Sequence, residues 1–319
     1  MTPVIAVAES QVEIVRKRAA ARNVPVKLVR VGADGCLADQ VDGLDAVLSS
    51  NIPAAHVRKL LREHGSVRWL AAQSAGVDGV MLPEVMGGQV TVTRVRHVHD
   101  VFVAEFCMAL ILFAAKGLRQ IVLAAERKEW LTLQPPALIG KTLAIVGYGE
   151  IGLALANRAK PFGMRIVGVR TRPRADDVAD EVWGAERMDE ALGQADYVVL
   201  AVPGGGNRRH LIGEQRLRLL RKDAYLINVG RGEVVDEEAL DRVLREEGFA
   251  GGLIDTFEVE PLPKESPLWS NPRVLVTAHL AGLRAAPLVD QVMDQIVDNI
   301  ARFGRGEALM NEADVSRGY

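Results

Sequence analysis

The stretch TLAIVGYGEIG, residues 142–152, runs from an apolar strand pattern through a glycine-rich turn into a helical pattern. Its three glycines, Gly147, Gly149 and Gly152, have the spacing G-x-G-x-x-G. In such a turn the first glycine permits the tight bend, the second lets a pyrophosphate approach the backbone, and the third lets the helix pack on the strand. The pattern predicts a dinucleotide phosphate site at the helix N-terminus. A purely structural glycine turn is the alternative.

The next strand pattern, in RIVGVRTRPR (residues 165–174), ends at Val169 and is followed by Arg170, Thr171 and Arg172. Folds selective for NAD place an Asp or Glu on the ribose at this distance from the glycines. Guanidinium groups instead bind a 2′-phosphate through paired, charge-assisted hydrogen bonds. We therefore expect NADP(H) to be preferred, with NAD(H) possible. A solvated basic turn in a protein that uses NAD is the alternative.

Short β-branched segments alternate with helical patterns along the whole chain, which predicts an α/β fold built on parallel sheets. Six strands are predicted between Thr142 and Leu280, which makes a doubly wound domain inserted into the chain. Residues 1–99 form a first domain, residues 100–284 the inserted domain, and residues 285–319 a C-terminal helix and tail that return to the first. The predicted strands of the first domain are VIAVA, VKLVR, AVLSS, VRWLAA and VTVTR, and those of the inserted domain are TLAIVG, MRIVGV, YVVLAVP, AYLINVG, GGLIDTF and VLVTAHL.

Two helices carry recognisable end signals. The helix in VDEEALDRVLREEG has Asp236 as the predicted N-cap and Gly248 as the predicted left-handed residue after its end. The apolar run in residues 101–115 is too short to span a bilayer and predicts a buried helix. Asp100 is its expected N-cap and Gly117 its expected end.

Composition restricts the function classes. A net charge of −2 over 319 residues gives no general attraction to nucleic acid or to an anionic membrane. Cys36 and Cys107 have no metal-ligand spacing, so we expect no metal and a reduced cytoplasmic protein. The first residues lack the basic start and apolar stretch of a secretory signal.

Three further motifs complete a constellation: NVGRGEVVDEEAL around Arg231, DTFEVEPLP with Glu260, and TAHLAG with His279. Each residue by itself would more often be a surface or structural group. Together with GKTLAIVGYGEIG, however, the ordered motifs closely resemble the D-isomer-specific 2-hydroxyacid dehydrogenases, over essentially the whole chain. The resemblance implies a Rossmann-type sheet inserted into a smaller flavodoxin-like α/β substrate domain, with the chemistry in the cleft between them.

The resemblance also implies roles for these three residues. His279 would be the general acid, Glu260 would orient its imidazole and favour the protonated form, and Arg231 would hold the substrate carboxylate. The loop AQSAGVDGV would face that carboxylate with Ser74, Ala75 and Gly76. Besides the glycines and the basic residues 170–172, the predicted cofactor contacts are Tyr148, Glu150, Ile151, Val202, Pro203, Val229, Gly230, Asp255 and Gly282, with Asp255 near the nicotinamide carboxamide.

The chain departs from the family pattern in two places. Gly204, Gly205 and Gly206 replace a Thr-Pro-Glu-Thr-like loop, which puts the cofactor contacts there in doubt. His97 fills a place where relatives commonly have glycine, with Arg94, Arg96 and His99 around it. These side chains either read a second anionic group of the substrate, are exposed turn charges, or pair with the opposing domain.

The motifs predict NADPH-dependent reduction of a small 2-oxoacid, such as glyoxylate or hydroxypyruvate, to the 2-hydroxyacid. NAD-linked oxidation of another small anion, formate-like or phosphite-like, is one alternative. A non-catalytic, dinucleotide-sensing protein like the corepressors of this fold is another. The resemblance further implies a homodimer formed through the inserted domain, with residues 117–136 reaching across.

Overall fold

The computed structural model describes residues 1–73, 77, 80, 82–174, 178–282 and 286–314, with no side-chain detail for residues 286–288. The chain divides into two compact units, Met1–His99 with Arg284–Tyr319, and Asp100–Leu283. The predicted substrate-facing residues Ser74, Ala75 and Gly76 lie outside the described residues.

The first unit is built on a parallel sheet whose five strands are the predicted ones. The sheet order is β2-β1-β3-β4-β5, the flavodoxin-like order, as expected. Ile5, Ala6 and Val7 in the interior strand β1 are all fully buried, because both faces of a parallel sheet are covered. The strands are β1 (Val4–Ala8), β2 (Lys27–Val31), β3 (Ala46–Leu48), β4 (Trp69–Ala71) and β5 (Thr91–Thr93), and the helices are α1 (Glu9–Ala21), α2 (Ala54–Glu63), α3 (Pro83–Met86) and, from the end of the chain, α10 (Ala286–Arg305).

Helix α10 packs against α1, so the C-terminal helix does return to the first segment of the chain. Arg18 Nη1 lies 2.7 Å from Asp294 Oδ1, and Arg22 Nη1 lies 2.6 Å from Asp298 Oδ1. Such partly exposed pairs add little stability by themselves. The helix is held mainly by the apolar side chains on its buried face, Val292, Met293, Ile296, Val297 and Ile300.

The second unit is built on a parallel sheet in the order β12-β11-β10-β9-β6-β7-β8. Counted from β6, this is the doubly wound order that the sequence predicts, with one strand more than the six predicted. All six predicted strands are present. Its elements are β6 (Thr142–Val146), β7 (Arg165–Val169), β8 (Glu181–Trp183), β9 (Tyr197–Leu200), β10 (Tyr225–Asn228), β11 (Gly251–Ile254), β12 (Val274–Val276), α4 (His99–Ala115), α5 (Leu118–Glu126), α6 (Glu150–Ala159), α7 (Met188–Gln194), α8 (Glu214–Leu217) and α9 (Glu237–Arg245).

Sequence reasoning missed strand β8. It has three residues, Glu181 and Val182 are half-buried, and it pairs only with β7 at the edge of the sheet. An edge strand of three residues is too short to show an alternating or continuous apolar pattern, so its signal does not rise above that of a loop.

The end of α9 corrects one prediction. The left-handed residue is Glu247 (φ 56°), and Gly248 follows it. The Gly248 N–H donates to Val243 O at 2.8 Å and the Glu247 N–H donates to Leu244 O at 3.1 Å, the two bonds of a Schellman motif. A Cβ on Gly248 would lie 2.4 Å from Val243 Cγ1, so close packing is the reason for glycine at this position.

The other end signals have mixed outcomes. The Asp236 carboxylate accepts the Ala239 N–H at 3.0 Å, which confirms the N-cap of α9. Helix α4 begins at His99, so Asp100 lies in its first turn and is not the N-cap. Among the described residues, no single helix has the length and apolar composition to cross a membrane, and only the bent pair His99–Ala115 and Leu118–Glu126 meets that test when both helices are counted together.

Candidate active site

All seven strands of the second unit are parallel, so their carboxyl ends lie along one edge of the sheet. This edge is where open α/β sheets bind ligands. Strand β10, which precedes Arg231, is two positions from β12, which precedes the His279 loop, or about 10 Å at ordinary strand spacing. The predicted residues follow the strands in sheet order: His279 after β12, Asp255 after β11, Arg231 after β10, Val202 and Pro203 after β9, residues 147–152 after β6, and residues 170–172 after β7.

The glycine-rich turn is locked between β7 and β9. Gly147 has a φ of 92°, and a Cβ there would lie 2.5 Å from Ala201 O. The N–H groups of Gly147 and Tyr148 donate to Val169 O at 3.0 and 2.9 Å. Gly152 is needed for packing, because its Cβ would lie 3.1 Å from Ile145 Cγ2.

Gly149 has a different reason to be glycine. Its φ is −108°, and a Cβ there would have one atom within 4 Å, Gly147 O at 4.0 Å. Neither backbone conformation nor packing in the chain therefore requires glycine, and the position is exposed. The amides of Ile151 and Gly152, in the first turn of α6, have no intrahelical acceptor. An open glycine beside helix N-terminal amides fits the phosphates of a dinucleotide.

Tyr148, a predicted cofactor contact, has its side chain in the core. It is 2% exposed, and a Cβ on Gly168 of β7 would lie 2.5 Å from its ring. The ring therefore packs on β7, and the backbone N–H of Tyr148 donates to Val169 O. Its structural role is to hold the turn, which the G-x-G-x-x-G pattern does not reveal.

The basic residues lie directly after β7. The Arg170 N–H donates to Trp183 O at 3.0 Å, so the backbone is anchored to the edge strand β8. Arg170 is half-buried, and Thr171 and Arg172 are exposed. In the parts of the chain that the structure describes, neither Arg170 nor Arg172 has a carboxylate within ion-pair distance. Arg170 and Arg172 thus directly follow the strand beside the glycine-rich turn, and their contact with a ribose phosphate stays a prediction.

Asn228, the buried last residue of β10, shapes the turn that carries Arg231. Its Oδ1 accepts the Gly230 N–H at 3.1 Å, and its Nδ2 donates to Arg231 O at 3.1 Å. A Cβ on Gly230 would lie 2.6 Å from Val202 O, so this turn contacts the loop after β9. Sequence reasoning missed Asn228, although a polar residue at the end of an apolar strand pattern is the signal that could have found it.

The unusual Gly204 loop lies against this turn. A Cβ on Gly204 would be 2.4 Å from Glu233 Oε1 and 3.2 Å from Arg231 Cγ. The next residue, Gly205, has a φ of 78° and donates its N–H to the Glu233 carboxylate. A side chain at position 204 would require the flexible Glu233 carboxylate to move and would press on the Arg231 side chain.

The turns that carry Arg231 and Glu260 are in direct backbone contact. A Cβ on Gly232 would lie 1.8 Å from Phe257 C and 2.2 Å from Glu258 N. No side chain fits in that space. Gly232 thus fixes the position of the arginine turn relative to the glutamate turn.

Glu260 and His279 form a pair. The His279 Nδ1–H donates to Glu260 Oε2 at 2.8 Å, and Glu260 Oε1 accepts the Phe257 N–H at 3.0 Å. His279 has a φ of 52° and its N–H donates to Asp255 O at 2.8 Å. With Nδ1 held by the carboxylate, Nε2 is the ring nitrogen left to exchange a proton with a ligand.

The model of a family described as D-isomer specific 2-hydroxyacid dehydrogenase, NAD binding domain, matches residues 108–281, more than half of the chain. The chain belongs to the D-isomer specific 2-hydroxyacid dehydrogenase family. It is accordingly an NAD(P)-dependent oxidoreductase, and the family resemblance seen in the motifs is confirmed.

Individual relatives agree with this membership. A glyoxylate reductase of Thermococcus onnurineus is 34% identical over 278 residues, which are 84% of this chain and 81% of the relative. The structure of a family member from Xanthobacter autotrophicus, in complex with NADPH and MES, has a TM-score of 0.87, 28% identity and coverage of 100% and 99% of the two chains. The NADPH-dependent glyoxylate/hydroxypyruvate reductase of Sinorhizobium meliloti, in complex with NADP and sulfate, has a TM-score of 0.85 at 25% identity, with full coverage of both chains.

Within this dehydrogenase fold, Asp255 holds the loop that carries His279. It is fully buried, and its carboxylate accepts the Thr277 Oγ1–H at 2.6 Å, the Leu280 N–H at 2.8 Å and the Ala281 N–H at 3.0 Å. Burial, together with the Asp255 charge, raises the pKa of the Cys107 thiol on α4. Contact of Asp255 with the nicotinamide stays a prediction, and its loop-holding role is a finding that the motif alone does not indicate.

The turn after β5 in the first unit is tied to the C-terminal segment. The Arg94 N–H donates to Asn311 O at 3.0 Å, and the Arg96 N–H donates to Gln295 Oε1 at 3.1 Å. His97 has a φ of 55°. The backbone of this turn is therefore well defined, and a role of its side chains in reading a second anionic group stays a prediction.

The open position at Gly149 yields a test of the dinucleotide site. Gly149→Ala should weaken dinucleotide binding by about 10-fold or more, roughly the loss of one close phosphate contact. Its thermal unfolding should stay near that of the wild type. Calorimetric titration with NADPH and a melting curve measure the two effects.

Gly147→Ala is the contrasting variant. Its Cβ would overlap Ala201 O, so the melting temperature should fall. Unchanged NADPH affinity in Gly149→Ala would show that the open glycine does not face the phosphates.

Proposed function

We propose that the protein reduces a small 2-oxoacid, such as glyoxylate or hydroxypyruvate, to the 2-hydroxyacid with NADPH, and that His279 donates the proton. The observation that carries the proposal is the His279 imidazole held by Glu260 on the same sheet edge as Arg231. The names of the relatives support it, since those from Thermococcus and Sinorhizobium are reductases of glyoxylate or hydroxypyruvate. A cytoplasmic location stays a prediction.

The three side chains divide the work of the reaction. Arg231 binds the substrate carboxylate with its forked donors and polarises the carbonyl. When bound, the reduced nicotinamide supplies a hydride to the carbonyl carbon. The imidazolium Nε2–H of His279 gives its proton to the carbonyl oxygen, and the Glu260 carboxylate stabilises the charged ring beforehand. The His279 side chain is 49% exposed, so it regains a proton from solvent.

The proposed reduction requires a protonated His279, so its rate should depend on pH. His279→Ala should slow the reduction step by roughly 10²- to 10⁴-fold, the usual contribution of a positioned acid. In Glu260→Gln the negative charge beside the ring is lost, so the reduction rate should begin to fall at a lower pH than in the wild type. Single-turnover rates with glyoxylate are measured between about pH 5 and pH 9, which covers the range in which histidine titrates. They report both effects without interference from product release. Near-normal turnover in His279→Ala, or an unmoved profile in Glu260→Gln, would remove this pair from the mechanism.

NADPH preference rests on Arg170 and Arg172 and has its own test. Arg170→Asp should lower kcat/KM for NADPH by about 10- to 100-fold, the loss of one or two charge-assisted hydrogen bonds. NADH has no 2′-phosphate, so its kcat/KM should change little. Arg16→Asp on α1 makes the same change in net charge far along the chain and should affect neither cofactor. Equal use of NADH and NADPH by the wild type would contradict the preference.

We further propose that the protein is a homodimer. A run of apolar side chains on α5 and the segment after it is exposed, and Trp130 at 98% exposure is its extreme case. Exposed apolar patches of this kind mark interaction sites, and the family resemblance points to a second copy as the partner. The exposed residues are Leu118, Ile121, Val122, Leu123, Trp130, Leu131 and Ile139.

Sedimentation equilibrium tests the dimer. The wild type should sediment as twice the chain mass of 34.6 kDa. The double variant Val122→Asp/Trp130→Asp should sediment as a monomer, because two charges would have to be buried in the interface. Met86→Asp, which puts a charge at an exposed apolar position of the first unit, is the surface control and should keep the dimer. A monomeric wild type would refute the proposal.

A further inference from the structure

Glu237, the first residue of α9, contacts the turn that carries Glu260. Its Oε1 accepts the Glu258 N–H at 2.7 Å, and the side chain is half-buried. The Asp236 cap fixes the first turn of α9, so the carboxylate is presented from a defined backbone. The Glu258 N–H is thus tied to a helix that follows the Arg231 turn.

A short series of contacts leads from Glu237 to the catalytic pair. On one side of the Glu258 amide, the Phe257 N–H donates to Glu260 Oε1, and Glu260 Oε2 accepts the His279 Nδ1–H. On the other side, Gly232 lies against the Phe257 carbonyl group and the Glu258 nitrogen. Glu237 adds a side-chain hydrogen bond at the place where the backbone of Gly232 meets that of Phe257 and Glu258.

We propose that Glu237 is a positioning residue for Glu260 and His279, acting through its bond to the Glu258 amide and through its negative charge. The inference rests on the proposed catalytic role of that pair. Glu237 touches neither substrate nor cofactor in this scheme. It holds the turn from which Glu260 reaches the imidazole, and its charge favours the protonated ring.

The surroundings of Glu237 explain why a charge there matters. Burial raises its pKa, and the nearby Glu258 and Glu260 carboxylates raise it further, against the Glu258 N–H bond and His210, which lower it. Asp236 precedes Glu237 on the same helix. On the loop after β9, Arg209 forms an ion pair with Glu258, and His210 Nε2 lies 3.7 Å from Glu258 Oε2.

Asp236, Glu237 and Glu258 therefore put more negative than positive charge beside the catalytic pair, because the positive charge of Arg209 is paired with Glu258. At low pH, where Glu237 is protonated, its contribution to the field at His279 disappears. Above its raised pKa the carboxylate is charged and favours the imidazolium form.

Two substitutions separate the bond from the charge. Glu237→Gln keeps an oxygen that can accept the Glu258 N–H but removes the charge. Glu237→Ala removes both. The exposed neighbour Glu238 supplies the matched controls Glu238→Gln and Glu238→Ala, which make the same change one residue along the helix.

The first measurement follows the His279 ring by NMR, which needs no turnover. The chain has six histidines, and the spectrum of His279→Ala assigns the signal. In Glu237→Gln the titration midpoint of His279 should fall by a few tenths of a pH unit, as expected for one charge in a partly exposed site. In Glu238→Gln it should stay within about 0.1 unit, because Glu238 is exposed and its charge is screened by solvent.

The second measurement is the rate of glyoxylate reduction at the pH optimum. Glu237→Ala should lower kcat by about 10-fold, since misplacement of a catalytic group by a fraction of an ångström lowers the rate strongly. Glu237→Gln should restore kcat to within about twofold of the wild type, because the bond to the turn is kept. KM for NADPH should stay unchanged in both, and Glu238→Ala should behave as the wild type.

An unmoved His279 midpoint in Glu237→Gln, or a normal kcat in Glu237→Ala, overturns this inference while leaving the proposed function intact. Full activity of His279→Ala would instead overturn the proposed function. A lower His279 midpoint in Glu237→Gln supports the role of the Glu237 charge. A loss of kcat in Glu237→Ala that is absent from Glu237→Gln supports the role of the hydrogen bond to the Glu258 N–H.

Discussion

Strand β6 pairs in register with β7 on one side and β9 on the other, and this double pairing organises the second unit. Val146 at its end lies opposite Val169 and Leu200 at once. Gly147 therefore leaves the sheet between two strand ends, where a Cβ would meet Ala201 O. The later strands are added on both sides of β6. All of them run parallel to it, so each loop that follows a strand begins at the same edge of the sheet.

The double pairing also separates the tasks of the site. Strand β7 lies on one side of β6 and carries the basic residues, whereas β10 to β12 lie on the other and carry Arg231, Asp255 and His279. About 14 Å of sheet separates the end of β7 from the end of β10 at ordinary strand spacing. In the proposed function, the two ends of an extended dinucleotide would therefore meet residues that are far apart in the sheet.

The turns that carry Arg231, Glu260 and His279, the proposed catalytic residues, are held by backbone contacts and buried polar groups more than by these side chains themselves. Gly232 against Phe257, the Asn228 amide in the Arg231 turn and the Asp255 carboxylate in the His279 loop each remove freedom from one of the three turns. Buried hydrogen-bonded groups of this kind are costly to leave unpaired, so the turns have one arrangement in which all are satisfied. Preorganisation of this sort is what lets a charge or a donor act without reorganising during the reaction.

The sequence by itself determined the features that depend on neighbours along the chain. The β-branched runs identified all five strands of the first sheet and six in the second. Asp236 marked the start of α9, and G-x-G-x-x-G marked the tight turn between β6 and α6, because each is a local pattern of burial, capping or backbone freedom. Contacts between distant segments were decided only by the tertiary structure. It placed the Tyr148 ring on Gly168, gave β8 its edge position, put the left-handed conformation at Glu247 instead of Gly248, and brought Glu237 to the Glu258 amide 21 residues away. No local pattern encodes such contacts, since the space left for a Cβ or the partner of an amide depends on strands that the chain reaches only after folding.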